Sequence, residues 1–258
     1  MNPRREAAEL LGHEAAVLEP SPPAVAEDPW FADDPAREPG ISPIGSGPGT
    51  WDELARRGGE VATFAASRWL GAWKRLEPAP SGLVETRLAL HHVAEHVLKP
   101  AREAANGKFG LRYTRAGFGT PFFGEDRQVR VERADLVWQT AGHVDLREPL
   151  EADASFVGDW FGFAFSVLEE LRSGAPDGSD TRVQIWPEHF DAAIELGAEA
   201  EGARAAYGCS PGDENHPEPY CYVAPWAAEG YEHLPYSALL ESPDQRRSAL
   251  EFFRARTS

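Results

Sequence analysis

The chain has 258 residues with 42 acidic and 25 basic side chains, a formal net charge of −17. So acidic a surface repels a phosphate backbone, which argues against a nucleic-acid partner, and no apolar run approaches the roughly 20 residues of a membrane span. The first residues, MNPRREAAELLGHEAA, lack the apolar centre of a signal peptide, so the expected location is the cytoplasm.

Residues 1–48 form the first segment, a mixture of Pro, Gly, Asp and Glu around EPSPPAVAEDPWFADDPAREPG. It holds too few packable side chains to offset its ordering entropy and is read as a loose arm. A single domain is expected over 49–258. From Thr50 to Leu76 the pattern is helical, with Thr50 and Glu53 spaced as a capping box and Trp69, Leu70 and Trp73 at one-turn spacing.

A second helix is expected from Leu83 to Lys99. Leu90, Val93, Ala94, Val97, Leu98 and Ala101 share one side of its wheel, and His92, Glu95, His96 and Lys99 the other. Pro100 removes the amide that would bond to the His96 carbonyl, so the helix should kink or end there. His92, Glu95 and His96 also spell HxxEH, the inverted zinc-peptidase pattern, with Glu169 or Glu170 at a plausible separation for a third ligand. A solvated helix face explains the same residues without a metal.

Strands should follow. In RQVRVERADLVWQT, Val129 and Val131, then Leu136 and Trp138, alternate with polar neighbours at the period of half-buried antiparallel strands, and HVDLREPL continues the series. A meander is the simplest connection. Gly117, Gly119 and Gly124 lack the helix start of a dinucleotide fingerprint and read as a hairpin or lid loop. Residues 155–172 are a helix with a broad apolar face that includes Trp160, Phe163 and Val167, and with Asp159, Ser166, Glu169, Glu170 and Arg172 opposite. This helix should cross the sheet.

The block from Trp186 to Trp226 carries most of the site-capable side chains, between the strand TRVQIW and a strand over Tyr220 to Val223, with a hairpin around Gly197 to Gly202. His189 and Asp191 give HxD on an expected strand. With His216 as a distal ligand they would suit zinc or iron. Asp213, Glu214 and Glu218, grouped in SPGDENHPE beside Glu188 of the same block, are candidate ligand-binding residues; without histidine they would suit magnesium or calcium. A rigid exposed turn is the competing account of that loop. Cys209 and Cys221, the only cysteines, lack CxxC spacing and read as buried thiols. A polar-faced helix from about Asp244 to Arg256 closes the chain.

The segments LALHHVAEHVLKPAREAANGKFGLRYTRAGFGTPFFG, WPEHFDAAIELG and YGCSPGDENHPEPYCYVAPW resemble a group of uncharacterised high-GC bacterial proteins, over Leu83 to Trp226. The resemblance implies a bacterial cytosolic protein and brings no activity with it. The expectation is therefore one α+β domain, a mostly antiparallel sheet covered by helices. Its function would be that of a small-molecule enzyme or binding protein with a polar, divalent-metal pocket walled by 186–226. The alternative is a non-catalytic interaction protein using its acidic loop.

Overall fold

The computed structural model describes residues 75–114, 117–120, 127–140, 143–173 and 183–257. The expected arm, its boundary with the domain, and Trp69, Leu70 and Trp73 lie outside them. Of the first expected helix only Arg75 and Leu76 are described, and neither is helical. Leu76 is instead buried and fixed through its backbone to the Gln245 side chain, which accepts from its N–H at 2.7 Å and donates to its carbonyl at 3.1 Å.

Helix α1 (Leu83–Val93) leads through a π-helical turn (Ala94–Leu98) into α2 (Lys99–Asn106). Pro100 thus does not stop the helix. The Lys99 N–H reaches back to the Ala94 carbonyl, five residues away, so the widened turn takes up the bonding pattern that the proline interrupts. Leu90, Ala94 and Leu98 are buried as their spacing implies, whereas Val97 is 37% exposed because the π turn rotates it outward. His92 and His96 are exposed, their rings 4.2 Å apart, as a solvated face requires.

Among the described residues ten strands follow in antiparallel order. β1 (Arg112–Thr114), β2 (Gly117–Gly119), β3 (Gln128–Glu132), β4 (Asp135–Thr140) and β5 (His143–Pro149) form one five-stranded meander. β6 (Gln184–Trp186), β7 (Asp191–Leu196), β8 (Ala205–Ser210), β9 (Tyr220–Pro225) and β10 (Glu232–Pro235) form a second. An antiparallel bridge between Leu111 and Ile185 joins their inner edges. Gly117 and Gly119 belong to strand β2 rather than to a loop; a side chain at either would overlap the backbone of β3, so glycine permits the close pairing.

Helix α3 (Ser155–Ser173) lies across both sheets, packing on β1, β2, β7 and β8. Trp160, Phe163 and Val167 are fully buried along it, with the Trp160 and Phe163 rings stacked at 5.5 Å. Its expected polar face is also inside: Ser166, Glu169 and Arg172 are buried. The C-terminal pair α4 (Tyr236–Glu241) and α5 (Gln245–Arg254) follows, and α5 packs on α3 beside Ser166 and Glu170. Arg246 donates to the Ser166 carbonyl at 2.8 Å and pairs with Glu170 at 2.5 Å, so hydrogen bonds replace the water that Ser166 and Glu170 lose. Asp244 caps α5 by accepting from the Arg247 N–H at 3.0 Å. Among the described residues no helix is long and apolar enough to cross a membrane. The chain is an α+β fold whose antiparallel strands are covered by helices.

Candidate functional site

The second sheet has two unlike faces. Ala192, Ile194, Leu196, Tyr207, Cys209, Cys221 and Val223 join the hydrophobic core. The alternate residues point the other way. On that open face the register sets Ala193 opposite Gly208 and Gly208 opposite Tyr222, and places Ser210 opposite Tyr220. Small residues in the centre and aromatic residues beside them leave a cavity of about 560 Å³. Its floor is Ala193, Ala206 and Ala224; Trp186, Tyr220, Tyr222 and Tyr231 supply aromatic walls. Asp191, Glu195, Asp213, Ser210 and His189 are its polar groups.

His189 lies in the tight β6–β7 turn, where Phe190 takes a left-handed φ of 55°, and not on a strand. The turn is held because the Phe190 ring is buried between His91, stacked at 5.3 Å, and the edges of Phe118 and Phe161. Asp191 then opens β7 and is 5% exposed. Its Oδ2 accepts from the Tyr222 hydroxyl, while Oδ1 has no hydrogen-bond partner. Burial raises its carboxyl above the ordinary carboxylate range, against the pull of the Tyr222 bond and the nearby His189 and His91. The Tyr222 hydroxyl is raised in turn, by burial and then by Asp191.

Asp213 anchors the loop between β8 and β9. Its Oδ1 accepts from the backbone N–H of Asn215 at 2.7 Å and of His216 at 2.8 Å, and Tyr220 donates to Oδ2. Burial works to raise this carboxyl, but those bonds outweigh it and hold it below its usual value. Behind the loop, Arg87 of α1 is buried beneath Gly212 with Nη1 unpartnered. Burial lowers its guanidinium, opposed by Asp213 and Tyr220.

Three of the expected site residues, His189, Asp191 and Asp213, thus meet in one cavity. The others stand apart from its lining. Glu188 is bound to Lys99 at 2.6 Å, and that bond holds its carboxyl down against a burial effect that would raise it. Glu214 and Glu218 are exposed. His216 turns Nδ1 to Asp213 Oδ1 at 3.3 Å and packs its ring between Tyr220 and His233, at 4.7 and 4.8 Å. Among the described residues no three His, Cys, Asp or Glu side chains are gathered to hold a metal ion. His189, Asp191 and His216, expected as zinc or iron ligands, are not brought together as such a set. Asp213, Glu214 and Glu218, and His92, Glu95 and His96, are likewise not gathered as metal-holding groups among the described residues.

Sequence reasoning missed Trp186, Glu195, Ser210, Tyr220, Tyr222 and Tyr231. The alternation in DAAIEL, AAYGCS and YCYVAP held the signal, because it sets Asp191, Ala193 and Glu195 on one side and Ile194 and Leu196 on the other. Comparison with known proteins supplies no relative: no family model, curated protein or solved structure matches the chain.

Proposed function

We propose that the protein binds a small molecule on the open face of the second sheet, as an enzyme or a binding protein. The cavity between Trp186, Asp191, Tyr222 and Tyr231 carries this reading. Its volume of about 560 Å³ falls within the range of small-molecule sites, roughly 300–1,000 Å³, and it combines apolar walls with a few convergent polar groups. A buried carboxyl with an unpartnered oxygen in that wall has a cost that folding alone does not explain. Asp191, Tyr222 and His189 could hold or pass a proton there, which is the chemistry an enzyme on this scaffold would draw on.

The alternative, an interaction protein using its acidic loop, has Glu214 and Glu218 in its favour, both exposed. Asp213, the third carboxylate, is tied into its own loop and the cavity wall instead. The test is a thermal-shift screen of small metabolites on the native chain and on Ala206→Trp, which fills the cavity floor. Ligands that stabilise the native chain and not the variant support the reading. A screen in which every stabilising compound acts equally on both contradicts it.

A further inference from the structure

We infer that the ligand of this cavity carries a protonated amine, held by Asp191 and by the faces of the surrounding aromatic rings; the inference rests on the small-molecule reading above. The lining contains three carboxylates, Asp191, Glu195 and Asp213, and neither lysine nor arginine. Two of the three are already engaged, Glu195 with Arg204 at 2.9 Å and Asp213 with Tyr220 and its own loop. Asp191 keeps a buried oxygen without a hydrogen-bond partner, in a side chain that is 5% exposed. The basic groups nearest it, His91 and His189, do not hydrogen-bond that oxygen, and Arg87 lies behind the loop toward Asp213.

The aromatic walls point the same way. Tyr220 and Tyr231 lie nearly parallel with centroids 6.1 Å apart, and Tyr222 stands at 71° to Tyr231, also at 6.1 Å. The face of a tyrosine ring attracts an ammonium placed within about 6 Å of its centroid and is indifferent or unfavourable to an anion. An N–H-bearing ammonium additionally supplies the donor that Asp191 Oδ1 lacks, a charge-assisted bond stronger than one to a neutral hydroxyl. A buried carboxylate also costs less once a cation sits against it. The chain's net charge of −17 raises the local concentration of such a cation.

The test uses benzylammonium, benzyl alcohol and benzoate, three probes of one shape and different charge. Each is titrated into the full chain by chemical-shift perturbation, and again into Asp191→Asn and Tyr231→Ala. Asp191→Asn keeps the shape and the acceptor for Tyr222, and Tyr231, 44% exposed, can be removed from the rim without opening the core. The expected result is saturable binding of benzylammonium, weakened about tenfold or more in Asp191→Asn and less strongly in Tyr231→Ala. Amine binding that Asp191→Asn leaves unchanged would overturn the inference. Benzyl alcohol or benzoate binding as tightly as the amine, and weakened by Tyr231→Ala, would overturn the amine while leaving the pocket in place. No response at the cavity to any of the three would remove both.

Discussion

The ring of Tyr222 lies over the backbone of Gly208, and any side chain at position 208 would overlap it. Only by crossing β8 at this glycine does the tyrosine on β9 reach Asp191 on β7. Gly208→Ala should therefore destabilise the fold by about 1–3 kcal/mol, the range of overpacking, and displace the Tyr222 hydroxyl. The cost should shrink in a Tyr222→Ala background, where the ring is gone. Chemical denaturation of the two single variants and the double variant measures that coupling directly, and additive costs would show that the ring does not rest there.

Asp191 predicts a pH-dependent exchange of stability for function. Its folded carboxyl lies above the unfolded value because burial penalises the charged form. The stabilisation this gives is fully present below the unfolded value and is lost as pH rises through the folded one. Asp191→Asn avoids the loss. Its melting temperature should exceed that of the native protein at neutral pH, and the gap should close as pH falls below the ordinary aspartate range of about 4. A variant equally or less stable at neutral pH would contradict the assignment.

Phe163 tests the central helix. Its side chain is wholly buried against Trp160, and Phe163→Ala should cost about 3–5 kcal/mol in denaturant unfolding. A loss below about 1 kcal/mol would mean that α3 can relax around the gap.

Cys209 and Cys221 face each other across β8 and β9, both free, fully buried, and with their sulfurs 3.0 Å apart. Burial first, and then the neighbouring thiol, push Cys209 well above its usual value, so it stays a protonated, unreactive thiol. Iodoacetamide should leave both residues unmodified in the native protein and alkylate both in denaturant, as read by intact mass. Rapid labelling of the native chain would place them nearer the surface.

Much of the architecture was legible because it rests on periods a single segment displays. The apolar face around Trp160, Phe163 and Val167 forecast α3, and the alternation through Val129 and Val131 forecast the meander. The expectation failed where a local rule met a tertiary answer. Pro100 was expected to kink or end its helix, and a π turn carries the helix through it; Ser166, Glu169 and Arg172 were expected to face water and are buried, Ser166 against Arg246 of α5. The site divides in the same way. All but Tyr231 of the cavity lining falls within the block 186–226. Histidines and loop carboxylates drew attention there, and His216, Glu214, Glu218 and Glu188 proved to be outside the lining. The walls are alternate residues of β7, β8 and β9, and which of them meet depends on register, which no one segment encodes.

The most direct test of the central claim, that the open face of the second sheet is a small-molecule site, is a crystallographic fragment screen of the native protein. Fragment density is expected to concentrate in the cavity between Trp186, Asp191, Tyr222 and Tyr231, with amine-bearing fragments placing their nitrogen toward Asp191. Density that gathers elsewhere while this cavity holds only water would contradict it.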